Sequence, residues 1–96
     1  MKKQQANRFG DILKAWVESL EKRSKLDEVL IERLWRKKMG TSINRYTREI
    51  KFRKGVVYLT IDSAPLKKEL SMNLDRIVSM FNRAFGKEVV TRVVIR

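Results

Sequence analysis

Apolar positions along the chain form three helical stripes and two alternating runs. Phe9, Ile12, Leu13, Trp16, Val17 and Leu20 follow i, i+3, i+4, i+7, i+8, i+11. That spacing puts all six on one face and predicts a helix from about Asn7 to Lys22. Ser24 stands where it can cap a second helix, with Asp27 and Glu28 in its first turn at the positive dipole end. Leu26, Val29, Leu30, Ile31, Leu34, Trp35 and Met39 give this helix a broad apolar face. Gly40 is a left-handed stop, and Arg36, Lys37 and Lys38 suit the negative end of the dipole. From Glu49 the period falls to two. Ile50 and Phe52 point one way; Glu49, Lys51 and Arg53 point the other. Lys54-Gly55 supplies a turn, after which Val57, Leu59 and Ile61 alternate with Val56, Tyr58 and Thr60, a hairpin pattern. A third helix starts near Pro65 and carries Leu66, Leu70, Leu74, Ile77, Val78, Phe81 and Phe85 up to Gly86. Val89–Ile95 is β-branched and is expected to pair with the hairpin. The order α-α-β-β-α-β predicts an α+β fold, a three-stranded sheet with helices on one face.

Trp16 and Trp35 both lie on helical stripes and are expected in the core. The first stripe is expected to pack onto the domain; a helix that binds a partner is the other reading.

Length sets a single domain over residues 1–96, with residues 1–6 expected to be a flexible basic terminus. There is no Cys and no His, so disulfides, thiolate or imidazole metal sites and histidine acid–base catalysis are excluded. The start, MKKQQANRF, lacks the apolar core of a secretory signal. No apolar run approaches the roughly 18 residues of a membrane span. A soluble cytoplasmic protein, with no membrane partner and no cofactor, is the expectation.

Charge adds the main functional signal. Of the net +12, a run of 22 residues from Arg33 to Lys54 carries nine cations and one acid, Glu49, which is +8. The cations are Arg33, Arg36, Lys37, Lys38, Arg45, Arg48, Lys51, Arg53 and Lys54. Such clustering suits phosphates, which these side chains neutralise with release of counterions. The bland reading is a solvated basic face, although soluble surfaces usually interleave their signs. Tyr58 shares the hairpin's outward face with Lys51 and Arg53, and with Arg92 and Arg96 if the last strand pairs there. An aromatic among cations can stack a base; it can also be half-packed on its neighbours. Tyr46 lies in the basic loop.

The carboxylates form no enzyme-like constellation. Asp11, Glu18, Glu21, Asp27, Glu28 and Glu32 sit on helices with Lys or Arg nearby, the pattern of surface ion pairs. No phosphate-binding glycine loop, dinucleotide fingerprint or nucleophile elbow is present. A non-enzyme with no small-molecule substrate is expected.

Trp35 and Gly40, then GVVYLTIDSAPLKKEL, then a leucine-rich helix and VVTRVVIR, resemble the DciA-like family, first catalogued as a bacterial domain of unknown function. The matching positions are Trp35, Gly40, Gly55, Leu59, Ile61, Ala64, Glu69, Leu70, Asn82, Gly86, Ile95 and Arg96. Leu66 stands where the family often has Trp. The resemblance spans Phe9 to Arg96. It implies a K-homology (KH)-like fold and a non-enzymatic accessory that helps load the bacterial replicative helicase. It also implies binding of DNA; the Arg33–Lys54 surface is then expected to hold the backbone of single-stranded DNA or of a fork. A true KH domain grips nucleic acid with a GxxG loop, and no two glycines here have that spacing, so charge would have to replace it. Two other functions fit the same residues. One is an RNA-binding or ribosome-associated module; the other is a protein-interaction adaptor with an acidic partner.

Overall fold

The computed structural model describes the backbone of residues 2–96 and the side chains of residues 8–96. The expected flexible terminus at 1–6 lies outside the residues described in full. Helix α1 (Lys2–Arg45) is followed by strands β1 (Thr47–Arg53) and β2 (Val56–Ile61), helices α2 (Ala64–Ser71) and α3 (Leu74–Phe85), and strand β3 (Arg92–Ile95). The class is α+β, as the pattern predicts. The sheet order is β1-β2-β3: β1 and β2 are antiparallel, and β3 lies parallel to β2 after the α2–α3 crossover.

Helix boundaries differ from the sequence expectation at two places, each for a local reason. The two helices expected before the hairpin are one. Ser24 does not cap anything, because it is helical itself. No Gly or Pro falls between Gly10 and Gly40, and one serine costs a helix only about half a kcal/mol. The break comes at Gly40, with φ 78° and ψ −178°, a conformation essentially reserved for glycine. Beyond it a last helical turn continues to Arg45. Arg36 and Asn44 latch across the break: the Asn44 amide donates to Arg36 O at 2.6 Å, and Arg36 Nη1 donates to Asn44 O at 3.3 Å. The helix expected over 65–85 is instead two. The Asn73 amide donates to Glu69 O at 2.8 Å and closes α2, a local bond that competes with helix continuation. Ser63 caps the start of α2 by accepting from Leu66 N.

The third strand is shorter than Val89–Ile95. Asn82 on α3 occupies the missing part. Its Oδ1 accepts from Val89 N at 2.9 Å and Val90 N at 2.8 Å, and its Nδ2 donates to Val90 O at 2.8 Å. These three bonds replace a ladder and seat Val90 in the core. Asn82→Ala leaves three backbone groups unpaired and is expected to cost about 2–4 kcal/mol in urea unfolding, at about 1–3 kcal/mol per buried orphan less what water recovers.

The core lies between one face of the sheet and the helices. Ile50, Phe52, Val57, Leu59, Ile61 and Val93 come from the strands, Ile31 and Trp35 from α1, Leu70 from α2, Ile77 and Phe81 from α3, and Val90 from the loop. Trp35 is fully buried. It stacks on Phe81 at 6.2 Å between centroids, and its Nε1 donates to the buried Thr47 hydroxyl at 3.1 Å. Thr47 Oγ1 donates in turn to Ile43 O at 2.9 Å.

Trp16 corrects the expectation for the first stripe: it is 61% exposed. Phe9, Ile12, Leu13, Val17 and Leu20 are exposed with it. The stripe is in phase with Ile31, Leu34 and Trp35, but the sheet and α3 reach only the last part of α1. The outer helix extends past the body, and the molecule measures 64 × 24 × 19 Å.

Candidate nucleic-acid interface

The strand period sends alternate side chains away from the core, where no helix covers them. Register then decides which of these meet. Lys51 pairs with Tyr58, and Arg53 with Val56, across the antiparallel ladder. Val56 pairs with Arg92, and Tyr58 with Val94, across the parallel one. Arg96, two residues beyond Val94, projects to the same face. Its guanidinium sits 4.9 Å from the centroid of the Tyr58 ring. Lys51, Arg53, Tyr58 and Arg96 line a shallow depression of about 270 Å³.

Tyr58 is thus the central side chain of an open, cationic sheet face. The tight turn Lys54-Gly55, with φ of 49° and 80°, brings Lys54 to one end of it. A Cβ on Gly55 would also come to 3.0 Å from Thr91 Oγ1, so the turn and the approach of the last strand both need glycine. Glu49 is the acid on this face. Its Oε1 lies 3.9 Å from both Lys51 Nζ and Arg96 Nη2, exposed contacts worth little individually. It nonetheless lowers the charge of the face, which holds Lys51, Arg53, Arg92 and Arg96 against it.

The remaining cations of the basic run are elsewhere. Arg36 is engaged structurally, through the latch to Asn44, a bond to Thr47 O at 3.4 Å and an i,i+4 contact with Glu32 at 4.0 Å. Arg48 is held by Asp62, to which Nε donates at 3.0 Å. Arg33 and Lys37 are exposed on α1. Lys38 looks toward α3, beside Asp75, Arg76 and Arg83. Arg45 is exposed at the end of α1. Helix α1 packs on the buried side of the sheet, so one continuous basic segment is divided between opposite sides of the molecule. Arg96 joins Tyr58 from 38 positions further along the chain. It belongs to no basic run; the expected pairing of the last strand with the hairpin is what pointed to it.

A second concavity, about 640 Å³, lies between the end of α1, α2 and α3. Met39, Ile43, Tyr46, Pro65, Leu66, Leu70, Ile77 and Met80 make it apolar, with Glu69 as its only acid. It offers no carboxylate pair. Among the described residues no group of three His, Cys, Asp or Glu is placed to hold a metal ion, and no helix is long and apolar enough to cross a membrane.

The fold and the site define a small α+β protein with an open sheet face that carries one aromatic ring among arginines and lysine. The family model described as "Dna[CI] antecedent, DciA" matches residues 8–95, and the chain belongs to the DciA family. That family is associated with loading of the replicative helicase, so a coarse role as helicase-loading accessory comes with membership. No curated protein and no solved structure matches the chain significantly.

Proposed function

We propose that this chain is a non-enzymatic, cytoplasmic accessory of the bacterial replicative helicase that holds single-stranded DNA, at a fork or beside one, on the open face of its sheet. The convergence of Tyr58 with Lys51, Arg53, Arg92 and Arg96 carries the reading. Arginine and lysine neutralise phosphates, and an aromatic ring among them stacks a base without regard to sequence. Arg96 already covers one face of Tyr58. A base therefore either displaces the guanidinium or stacks on its outer plane, and both modes occur with unpaired bases. The KH-like reading of the family fits a sheet platform with helices behind it. Without a GxxG loop, the grip falls to side-chain charge. ATP hydrolysis is left to the helicase.

The test is fluorescence anisotropy of labelled single-stranded DNA, duplex DNA and single-stranded RNA across a salt series. Micromolar or tighter binding to single-stranded DNA, with a steep log–log salt slope, supports the proposal. Tighter binding of RNA redirects it to an RNA module, because the 2′-hydroxyl is then being read. No binding of any strand at low salt overturns the nucleic-acid role and leaves the adaptor with an acidic partner. Glu49→Gln removes the acid between Lys51 and Arg96. It is expected to tighten single-stranded DNA binding about 3- to 5-fold at 0.1 M salt, near the effect of one added phosphate contact.

A further inference from the structure

The outer stripe of α1 holds six of the large hydrophobic side chains that are exposed among the described residues. Its spacing has a property that an ordinary amphipathic helix need not have. Phe9, Ile12, Leu13, Trp16, Val17 and Leu20 are symmetric about the midpoint between Lys14 and Ala15. Phe9 mirrors Leu20, Ile12 mirrors Val17, and Leu13 mirrors Trp16. A two-fold axis through that midpoint, perpendicular to the helix, lays apolar on apolar at every level of an antiparallel pair. Leu13 and Trp16 interdigitate at the centre, Phe9 and Leu20 at the ends. Val17 meets its own symmetry mate on one flank and Ile12 its mate on the other. The geometry points to a dimer of this chain, joined by antiparallel pairing of the outer part of α1.

Charge selects the same partner. Residues 8–28 contain five Lys or Arg and five Asp or Glu, a net charge of zero. The +12 of the whole chain therefore lies entirely outside this segment. DNA is not attracted to it, and a second copy is not repelled. Over Phe9–Leu20 the positions flanking the seam are Gly10 and Ser19 besides Ile12 and Val17, so no charge stands there to oppose pairing; the first charges on the seam row, Arg23 and Asp27, lie beyond Leu20. In the antiparallel orientation the two cationic bodies sit at opposite ends. They start at Ile31, the first buried residue of α1, about 50 Å apart at 1.5 Å rise per residue. Leu20 stands eleven residues before Ile31, so the second helix lies along the stripe without meeting the body.

The area is sufficient. The six side chains are 43–65% exposed, which leaves on the order of 600 Å² of mainly apolar surface per copy, given about 150–250 Å² for a large side chain. Two copies then bury at most about 1,200 Å², the lower end of specific interfaces. A micromolar dissociation constant is expected, not an obligate dimer.

Sedimentation equilibrium over about 1–200 μM tests this, with the mass expected to rise from 11.4 kDa toward twice that value. Leu13→Glu with Trp16→Glu puts four carboxylates at the centre of the pair. It is expected to hold the protein monomeric throughout that range, with the urea midpoint of the body unchanged because neither residue touches the core. Orientation is read separately. The chain has no cysteine, so Lys25→Cys accepts a single spin label. Antiparallel pairing places the two labels about 30 Å apart, against less than about 20 Å for parallel helices. A monomer at 200 μM, a dimer that survives the double substitution, or a parallel distance overturns the proposal. A monomer whose stripe variant loses helicase association overturns it too, and gives the stripe to a different protein.

Discussion

Replacing Lys51, Arg53 and Arg96 together by alanine is expected to weaken single-stranded DNA binding about 100-fold at 0.1 M salt. Each phosphate contact on a single strand contributes a slope of about −0.7 in log K against log salt. Between about 1 M and 0.1 M salt that is roughly five-fold per contact, and three contacts multiply to about 100-fold. The slope should become shallower by about two units in the same titration. All three side chains are at least partly exposed and point away from the core, so stability should stay within about 0.5 kcal/mol. Lys37→Ala with Lys38→Ala is the control on the other side of the sheet. Arg36 is left out because its latch to Asn44 would confuse binding with folding. A larger loss from the α1 pair than from the sheet triple would move the interface to the helix. Tyr58→Leu then separates stacking from charge. It should cost about 1–3 kcal/mol of binding while the salt slope stays as it was.

How far the sequence reached can be seen in its two tryptophans. Trp16 and Trp35 lie on helical stripes in the same phase, and periodicity assigns both to a buried face. One is fully buried and the other largely exposed, because a period identifies the face without identifying what covers it. Coverage depends on where the sheet ends, which is a long-range fact. The strand faces were legible for the opposite reason. With a period of two and a tight turn at Lys54-Gly55, the hairpin register follows from local chemistry, and it places Lys51 opposite Tyr58. The charge run was the most visible signal, and the fold divides it between two sides of the molecule. Charge is additive along a chain, but the surface it forms depends on how the chain turns at Gly40. The helix break at Asn73 and the irregular stretch at Val89–Thr91 were hidden in another way. In both, an asparagine amide bonds to backbone, and a stripe of leucines and valines runs through without marking it.

Trp35→Ala is expected to be the most damaging single change in the body, lowering the unfolding free energy by about 3–5 kcal/mol. It removes the largest of the fully buried side chains and the ring stacked on Phe81. It also leaves the Thr47 hydroxyl without the Nε1 donor. The outer part of α1 gives no side chain to the core, so the body rests on fewer residues than the chain length suggests. Against the 5–15 kcal/mol typical of a domain, that loss should leave much of the protein unfolded at 37 °C, as read by circular dichroism at 222 nm in a urea series. Trp35→Phe divides the effect. It keeps a ring against Phe81 and removes only the indole donor, while Thr47 still donates to Ile43 O. A cost of about 1–2 kcal/mol is expected, the size of one lost hydrogen bond plus a small gap. Trp16→Phe should be neutral within about 0.5 kcal/mol in monomeric protein at low concentration, since Trp16 has no core contact to lose. If Trp16→Phe proves as costly as Trp35→Phe under those conditions, the outer helix folds back on the body and the stripe is not available to a second copy.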